Sequence, residues 1–593
     1  MNRFFRLAQA RNLDRIAVAY AVAGWVLVQG ASIVFPAFDA PGWALRAFIV
    51  AVLIGFPVAL VIAWFAVPHT ELEDVPAGPI SHREIVLIAL LVGVVLLSLG
   101  EPFFLLRNST PKGGPAPSGP PETSIAVLPF VNMSGNPGRE IFSDGISEEL
   151  LNDLSNIATL RVAARTSSFA FKGKNEDIRQ IARLLNVRSL LIGSIREDGE
   201  QIRISAQLIN AADGFQIWSS TYDRQLTGIL TLEDDIARAI TSALTNKLLG
   251  TLPHAGKPDS INPDAYRSYL EGQHELGPRT PEGIAKAVEL FKQVTARQPD
   301  FAEGFAALGR ALINHAEYHP EQKDLLPSAQ AALEQALKLD PKNLAALAAH
   351  LDLAIHRMDW QTATDDARRM EAINPNSATV LHEMFRYYQI LGFPQKALAS
   401  VRSVVKLNPL SFVDRYNVVA ALLHNGRYDD AVSAAHDALA LEPNQTEALA
   451  MLCTADAHSN RLPDAHAILN RLQATNDAAS KSGCDFDIAI AEGRLDDARR
   501  NTDALALQFP RGDFNENDFG ERYAETRDFD KAAQWLTRAY DARAFTLFTI
   551  PYSRSIPPEF FQTTGWKALS SRPLFKDWQA AHDALAATLA QSG

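Results

Sequence analysis

The sequence predicts a multidomain chain: transmembrane helices first, then an α/β domain with a mixed sheet, then an all-α solenoid of helical repeats. Three observations carry this. Charge-free apolar runs of membrane-spanning length crowd the first hundred residues. Strand-like and helix-like patterns alternate from Ser124 onward. Beyond Pro263, proline, alanine and glycine recur at a fixed interval.

The chain has 593 residues, room for several domains. It carries 56 basic and 68 acidic residues, a net charge of -12. No overall basic field draws a nucleic-acid backbone, so nucleic acid is excluded as a partner. Cys453 and Cys484 are too few for a disulfide framework or a zinc site. Cys453 lies in the apolar helical stretch "ALAMLCTADA", so buried free thiols are expected, with pairing as the alternative.

The predicted spans cover residues 16–35, 47–67 and 85–106 within an anchor of residues 1–107. A spanning helix needs about 20 apolar residues. The first run is too long, and lacks a cleavage site, for a signal peptide. Pro57 interrupts the second, which membrane helices tolerate. Arg3, Arg6, Arg11 and Arg15 precede the first span with only Asp14 opposing, which keeps the N-terminus in the cytoplasm. Three crossings then place everything after Arg107 in the periplasm of a double-membraned bacterium. The expectation is a multi-pass inner-membrane protein with the lipid bilayer as one partner. Residues 108–123, rich in proline and glycine, read as a linker.

In residues 124–250, "SIAVLPF" reads as a buried strand and "DGISEELLNDLS" as a helix capped by Asp144. "TLRVAAR" suggests a second strand and "NEDIRQIARLLNV" a second helix. "RSLLIGSI", "QIRISAQLINA" and "FQIWSSTYDR" follow as an antiparallel meander, with Asp198-Gly199 as a hairpin turn. "LEDDIARAITSALTNKL" closes the domain as a helix. Gly135, Gly138 and Gly145 fit neither a dinucleotide fingerprint nor a P-loop, and no lysine lies between Ser124 and Phe171. The glycines are read as serving turns.

These stretches, from "IAVLPFVNMS" through "IFSDGISEELLNDLSNIATLRVAARTSSFAFKGK" to "IWSSTYDR", resemble the TolB-like amino-terminal domain of bacterial proteins. Those proteins join it to membrane helices and tetratricopeptide repeats, and many carry a class III adenylate or guanylate cyclase domain before the anchor. About 15 residues precede the first predicted span here, too few for a cyclase. Phe142, Ser143, Asp144 and Gly145 match the family's most recognisable turn, and Arg165, Thr166 and Ser167 match the next. Capping and turn formation are their expected roles. A small ligand or peptide at the strand ends is the alternative, with Asp144, Arg165 and Ser167 as polar contacts.

The repeats are legible in their period. Pro341, Pro375, Pro409 and Pro443 are each 34 apart, as are Ala363, Ala397, Ala431 and Ala465, and Gly392 and Gly426. This is the tetratricopeptide period, and weaker repeats extend it through residues 263–593. "EYHPEQKD" reads as an inserted loop. Alanine marks the close approach of paired helices, and proline ends one helix before the next starts. On the repeat pattern, Asp352, His356, His382, Arg386, Gln389, Tyr416 and His424 line the concave face as a peptide-binding groove. The histidines lack ligand spacing, so no metal is expected, and no cofactor.

No nucleophile elbow, HExxH or phosphate loop is present, which points away from an enzyme. The expected function is a membrane-anchored scaffold or adaptor that binds protein or peptide partners through the repeat groove, in envelope assembly or signalling. The alternatives are a transmembrane sensor with a small ligand in the TolB-like domain, and an unrecognised nucleotide-linked enzyme.

Overall fold

The computed structural model describes residues 123–174, 176–245, 258, 260–318, 325–507 and 515–592, together with Tyr20 and Val52. Residues 119–593 form one compact unit.

A six-stranded sheet opens this unit. Its strands are β1 (Ser124–Val127), β2 (Val131–Asn132), β3 (Arg161–Val162), β4 (Ser189–Asp198), β5 (Gln201–Asn210) and β6 (Gln216–Gln225). The order is β3-β1-β4-β5-β6, with β2 beside β4. β1 runs parallel to β3 and β4, whereas β4, β5 and β6 are antiparallel. Ile125, Ala126 and Val127 are fully buried because both faces of β1 are covered. Helices α1 (Glu140–Ser155) and α4 (Ile229–Thr245) cover the face that presents Ile125, Val127, Leu191 and Ile204. Between them in sequence come α2 (Arg165–Phe169) and α3 (Ile178–Leu185). On the opposite face α3 packs Ile181, Ala182 and Leu185 on Ala126 and Leu190. α3 is capped at its start by Asp177 and ends on Asn186, whose φ of 53° stops the helix. Gly199, at φ +62°, makes the β4–β5 turn.

Three expectations are corrected here. The TolB-like assignment is not supported: among the described residues the sheet is open, its order ending at β3 and β6. The membrane anchor, with the bilayer partner and inner-membrane location expected from it, finds no support in the described residues. No helix among the described residues is long and apolar enough to cross a membrane, and the three expected spans lie outside those residues. The expected cap, Asp144, lies inside α1, which starts one turn earlier at Glu140.

The solenoid follows as antiparallel helix pairs. The first helices of the pairs are α5 (Pro263–Leu276), α7 (Ala302–Tyr318), α9 (Leu344–Arg357), α11 (Ala378–Ile390), α13 (Phe412–His424), α15 (Thr446–His458), α17 (Ala478–Ala491) and α19 (Glu516–Glu525). Their partners are α6 (Pro281–Arg297), α8 (Leu325–Leu339), α10 (Trp360–Ile373), α12 (Pro394–Leu407), α14 (Tyr428–Leu439), α16 (Leu462–Gln473), α18 (Leu495–Ala506) and α20 (Phe529–Asp541). Side-chain caps start many of them: Asn343 accepts from Ala346 N, and Ser411 from Asp414 N. Ala363, Ala397, Ala431 and Ala465 are at most 1% exposed, which lets paired helices approach closely. Part of the expected "EYHPEQKD" insertion lies outside the described residues.

The cysteine expectation is also corrected. Cys453 on α15 and Cys484 on α17 form a disulfide, with Cα atoms 5.5 Å apart. Stacked first helices of successive repeats bring these two fully buried positions face to face.

Beyond α20 the chain turns back through α21 (Thr564–Ser570) and α22 (Pro573–Ser592) onto its own middle repeats. Trp578 donates its indole N–H to Ile390 O at 3.0 Å, satisfying a carbonyl at the end of α11. Phe548 packs edge-on against Trp360 at 5.1 Å. Gly392 adopts φ +80°, and a Cβ there would lie 2.1 Å from the Tyr552 ring.

Candidate protein-binding cleft

The sheet domain and the solenoid share a core. Tyr266 and Tyr269 of α5 are buried against α1 and α4. Tyr269 donates to Glu149 Oε1 at 3.1 Å, and Tyr266 donates to Glu233. Burial, then the neighbouring carboxylates, push both phenols well above their ordinary range, so both stay donors. Gly145 lies where α1 crosses α5, and a Cβ there would come 2.7 Å from Leu270.

A second junction lies at the loops between repeats. Asn374 donates to Ser155 O at 2.6 Å, and Ala164 N donates to Leu407 O at 2.8 Å. Asn408 Oδ1 accepts from Ser167 N at 3.1 Å and from Ser167 Oγ at 2.6 Å. Ser167 Oγ in turn accepts from Leu410 N at 2.9 Å. Asn408 Nδ2 donates to Asp414 at 2.6 Å, and His382 Nδ1 lies 3.7 Å from the same carboxylate.

Beside this chain of polar contacts opens a cleft of about 420 Å³. Thr166 of the sheet domain forms one wall. The solenoid supplies His382, Phe412, Val413, Asp414 and Glu442. Val413 is 59% exposed, an apolar side chain held open to solvent beside two carboxylates.

The other sheet-domain residues singled out from sequence serve the interior or the domain's own ion pairs. Phe142 is buried edge-on against Tyr266 at 6.4 Å. Ser143 is fully buried, and its carbonyl accepts from Ser147 Oγ at 2.7 Å. Asp144 pairs with Lys172. Arg165 pairs with Glu148 at 2.6 Å and lies over the Phe169 ring. Burial raises Glu148 above the ordinary carboxylate value although Arg165 opposes it. Ser167 is buried between one backbone partner, Leu410 N, and Asn408, with no imidazole in that set to take its proton.

The concave-face residues divide into two groups. Asp352 is almost fully buried, 3.0 Å from Arg310, 2.7 Å from Arg386 and 3.2 Å from His356. His356 also reaches Glu317 at 3.3 Å, and Arg310 and Arg386 each reach Glu383 at 3.5 Å. Burial would raise the Asp352 carboxyl, but the His356 hydrogen bond and the two guanidiniums hold it well below its ordinary value. Burial would lower His356, but Asp352 and Glu317 push it up to about 10, so it is a cation at neutral pH. Glu317, Asp352 and His356 bring ligand atoms within 4.8 Å of one another. A metal ion there would face both guanidiniums, so the cluster is better matched by the ion pairs it already makes. The Phe545 ring lies against His356 at 4.8 Å, so the chain's own tail covers this stretch. His382, Gln389, Tyr416 and His424 keep partial or full exposure. His424 Nδ1 donates to Ala420 O at 2.8 Å, and Tyr416 packs on Phe412 at 6.0 Å. Only His382 among these concave-face residues lines the cleft.

Sequence reasoning missed Asn374 and Asn408. The signal was present: both precede repeat prolines 34 apart, whereas Asp340 and Glu442 occupy the matching positions before Pro341 and Pro443. It also missed Phe412, Val413 and Glu442.

Two family models match parts of the chain. A tetratricopeptide repeat model matches residues 422–481. The second-domain model of HilA/YgeH-like transcriptional regulators matches residues 121–239, which replaces the TolB-like assignment. "Putative adenylate cyclase 3" of Rhizobium meliloti (strain 1021) is 34% identical over 256 residues, 43% of this chain. The chain thus spans 43% of the length of that curated relative. Among solved structures, a tetratricopeptide repeat protein from Parabacteroides merdae is 14% identical, with a TM-score of 0.33 over 45% of this chain and 100% of its own. PilF of Pseudomonas aeruginosa is 17% identical, with a TM-score of 0.29 over 35% of this chain and 92% of its own. The repeat assignment rests on the repeat-family match and on the 34-residue succession of helix pairs in this chain.

Proposed function

We propose that this chain is a protein-binding scaffold, without catalysis of its own, whose sheet domain and repeats act as one unit. The observation that carries this is the cleft at their junction, where exposed Val413 and half-buried Phe412 lie beside the exposed carboxylate of Glu442. Such a surface suits a peptide that presents an apolar side chain next to a basic one. The Asp352 cluster is too heavily paired to be the main contact, so it is assigned a structural role. The resemblance of the sheet domain to part of transcriptional regulators fits a place in a regulatory assembly. With a net charge of -12, that place is made through protein contacts. Cyclase activity is not carried over from a relative of which less than half is shared.

The test is copurification with the full chain. Val413→Asp puts a charge in the cleft without touching the polar junction. It is expected to reduce capture of a specific partner at least about tenfold, the effect of an interface hot spot. Equal capture by the variant and the parent chain would refute the cleft as the site.

A further inference from the structure

β6 is ten residues long and, among the described residues, pairs on one side only, with β5. Register shows which backbone groups face outward. Leu226 N donates to Glu200 O and Asn210 N to Phe215 O, so in β5 the even-numbered residues bond toward β6. Past the bulge at the start of β6, its even-numbered residues therefore bond inward, opposite even partners such as Ala206↔Ser220 and Ile204↔Tyr222. Ser219, Thr221 and Asp223 then direct N–H and C=O to the open edge. Natural edges are blunted by proline, lysine or brevity. β6 has neither residue, and Asp223 is already paired with Arg203 at 2.6 and 3.1 Å. Phe215 and Ile217, at its start, are 74% and 42% exposed.

We propose that β6 pairs antiparallel with β6 of a second copy of the chain, about a two-fold axis at Ser220, giving one sheet continuous across a dimer. The edge is complementary to itself in this register. Ser219 and Thr221 of the two copies exchange backbone hydrogen bonds. Trp218 meets Tyr222 twice, each time in a non-hydrogen-bonded pair where side chains approach most closely. Both rings lie on the half-buried face, beside the core of α4. Asp223 faces Ile217 and Arg224 faces Gln216, so no like charges oppose. A register shifted so that Asp223 meets itself would set two carboxylates together. The proposal is independent of the cleft.

Sedimentation of the full chain tests it. The parent chain is expected to sediment as a dimer. Thr221→Pro removes an outward N–H while leaving the bonds to β5, and is expected to weaken the dimer about tenfold or more. Ser220→Cys gives a second readout that keeps the strand intact. Across the axis its Cα atoms would lie about 4.5 Å apart, within disulfide reach. It is expected to crosslink on mild oxidation, whereas Ser219→Cys, displaced along the strand from its own symmetry mate, is not. A monomeric parent chain, an unchanged Thr221→Pro dimer, or equal crosslinking at both positions would each overturn the proposal.

Discussion

Asp352 shows how one side chain is fixed by charge. Buried and in contact with Arg310, Arg386 and His356, it is the hub on which three cations converge. Asp352→Ala would strand two guanidiniums and an imidazolium, so urea unfolding should show a loss of about 3–5 kcal/mol. His356 gives the pH dependence. Its folded value, about 10, lies above the ordinary 6.5. Its contribution is therefore fully present below pH 6.5 and is lost as pH rises toward 10. Stability measured across that window should fall, and His356→Gln should flatten the slope. The sequence placed Asp352, His356 and Arg386 on one face through the repeat period. It left Arg310 and the covering Phe545 unseen, because contacts between repeats and from a returning tail have no local period.

At the scale of elements, two of the joints in the described unit can be tested singly. One is the Cys453–Cys484 disulfide between α15 and α17. Its loss in Cys453→Ala, or on reduction, should lower stability by about 2–4 kcal/mol in thermal or denaturant unfolding. The other is Asn408, which binds Ser167 and Asp414 at once. Asn408→Ala leaves buried partners unsatisfied, at about 1–3 kcal/mol. It should also expose α2 to proteolysis ahead of the repeats. The helix pairs and the β4–β5 hairpin were legible because apolar period, capping residues and Asp198-Gly199 are local signals. The disulfide was not, since an apolar helical context suits a buried thiol equally well. Nor was the docking role of Ser167, which depends on Asn408 and Leu410, more than 200 positions away.

For the molecule as a whole, the sheet domain and solenoid behave as one body. They share a core through Tyr266 and Tyr269, and Asn374 and Asn408 latch the far side. A resemblance read from the sheet domain led to a TolB-like account, which the open sheet and the HilA/YgeH-like match redirect; apolar runs in the first hundred residues led to a membrane-anchored one, and no helix among the described residues is long and apolar enough to cross a membrane. The cleft was half legible: Thr166 and His382 were singled out, but in separate domains and for separate roles. The central claim is that this cleft receives a protein partner. The measurement that tests it most directly is photo-crosslinking in cells from a reactive residue placed at Val413, compared with one at Leu507, which is 88% exposed and not among the cleft residues. A discrete adduct from Val413 that is absent from Leu507 is predicted. No adduct at Val413, or the same adducts from both positions, would contradict the account.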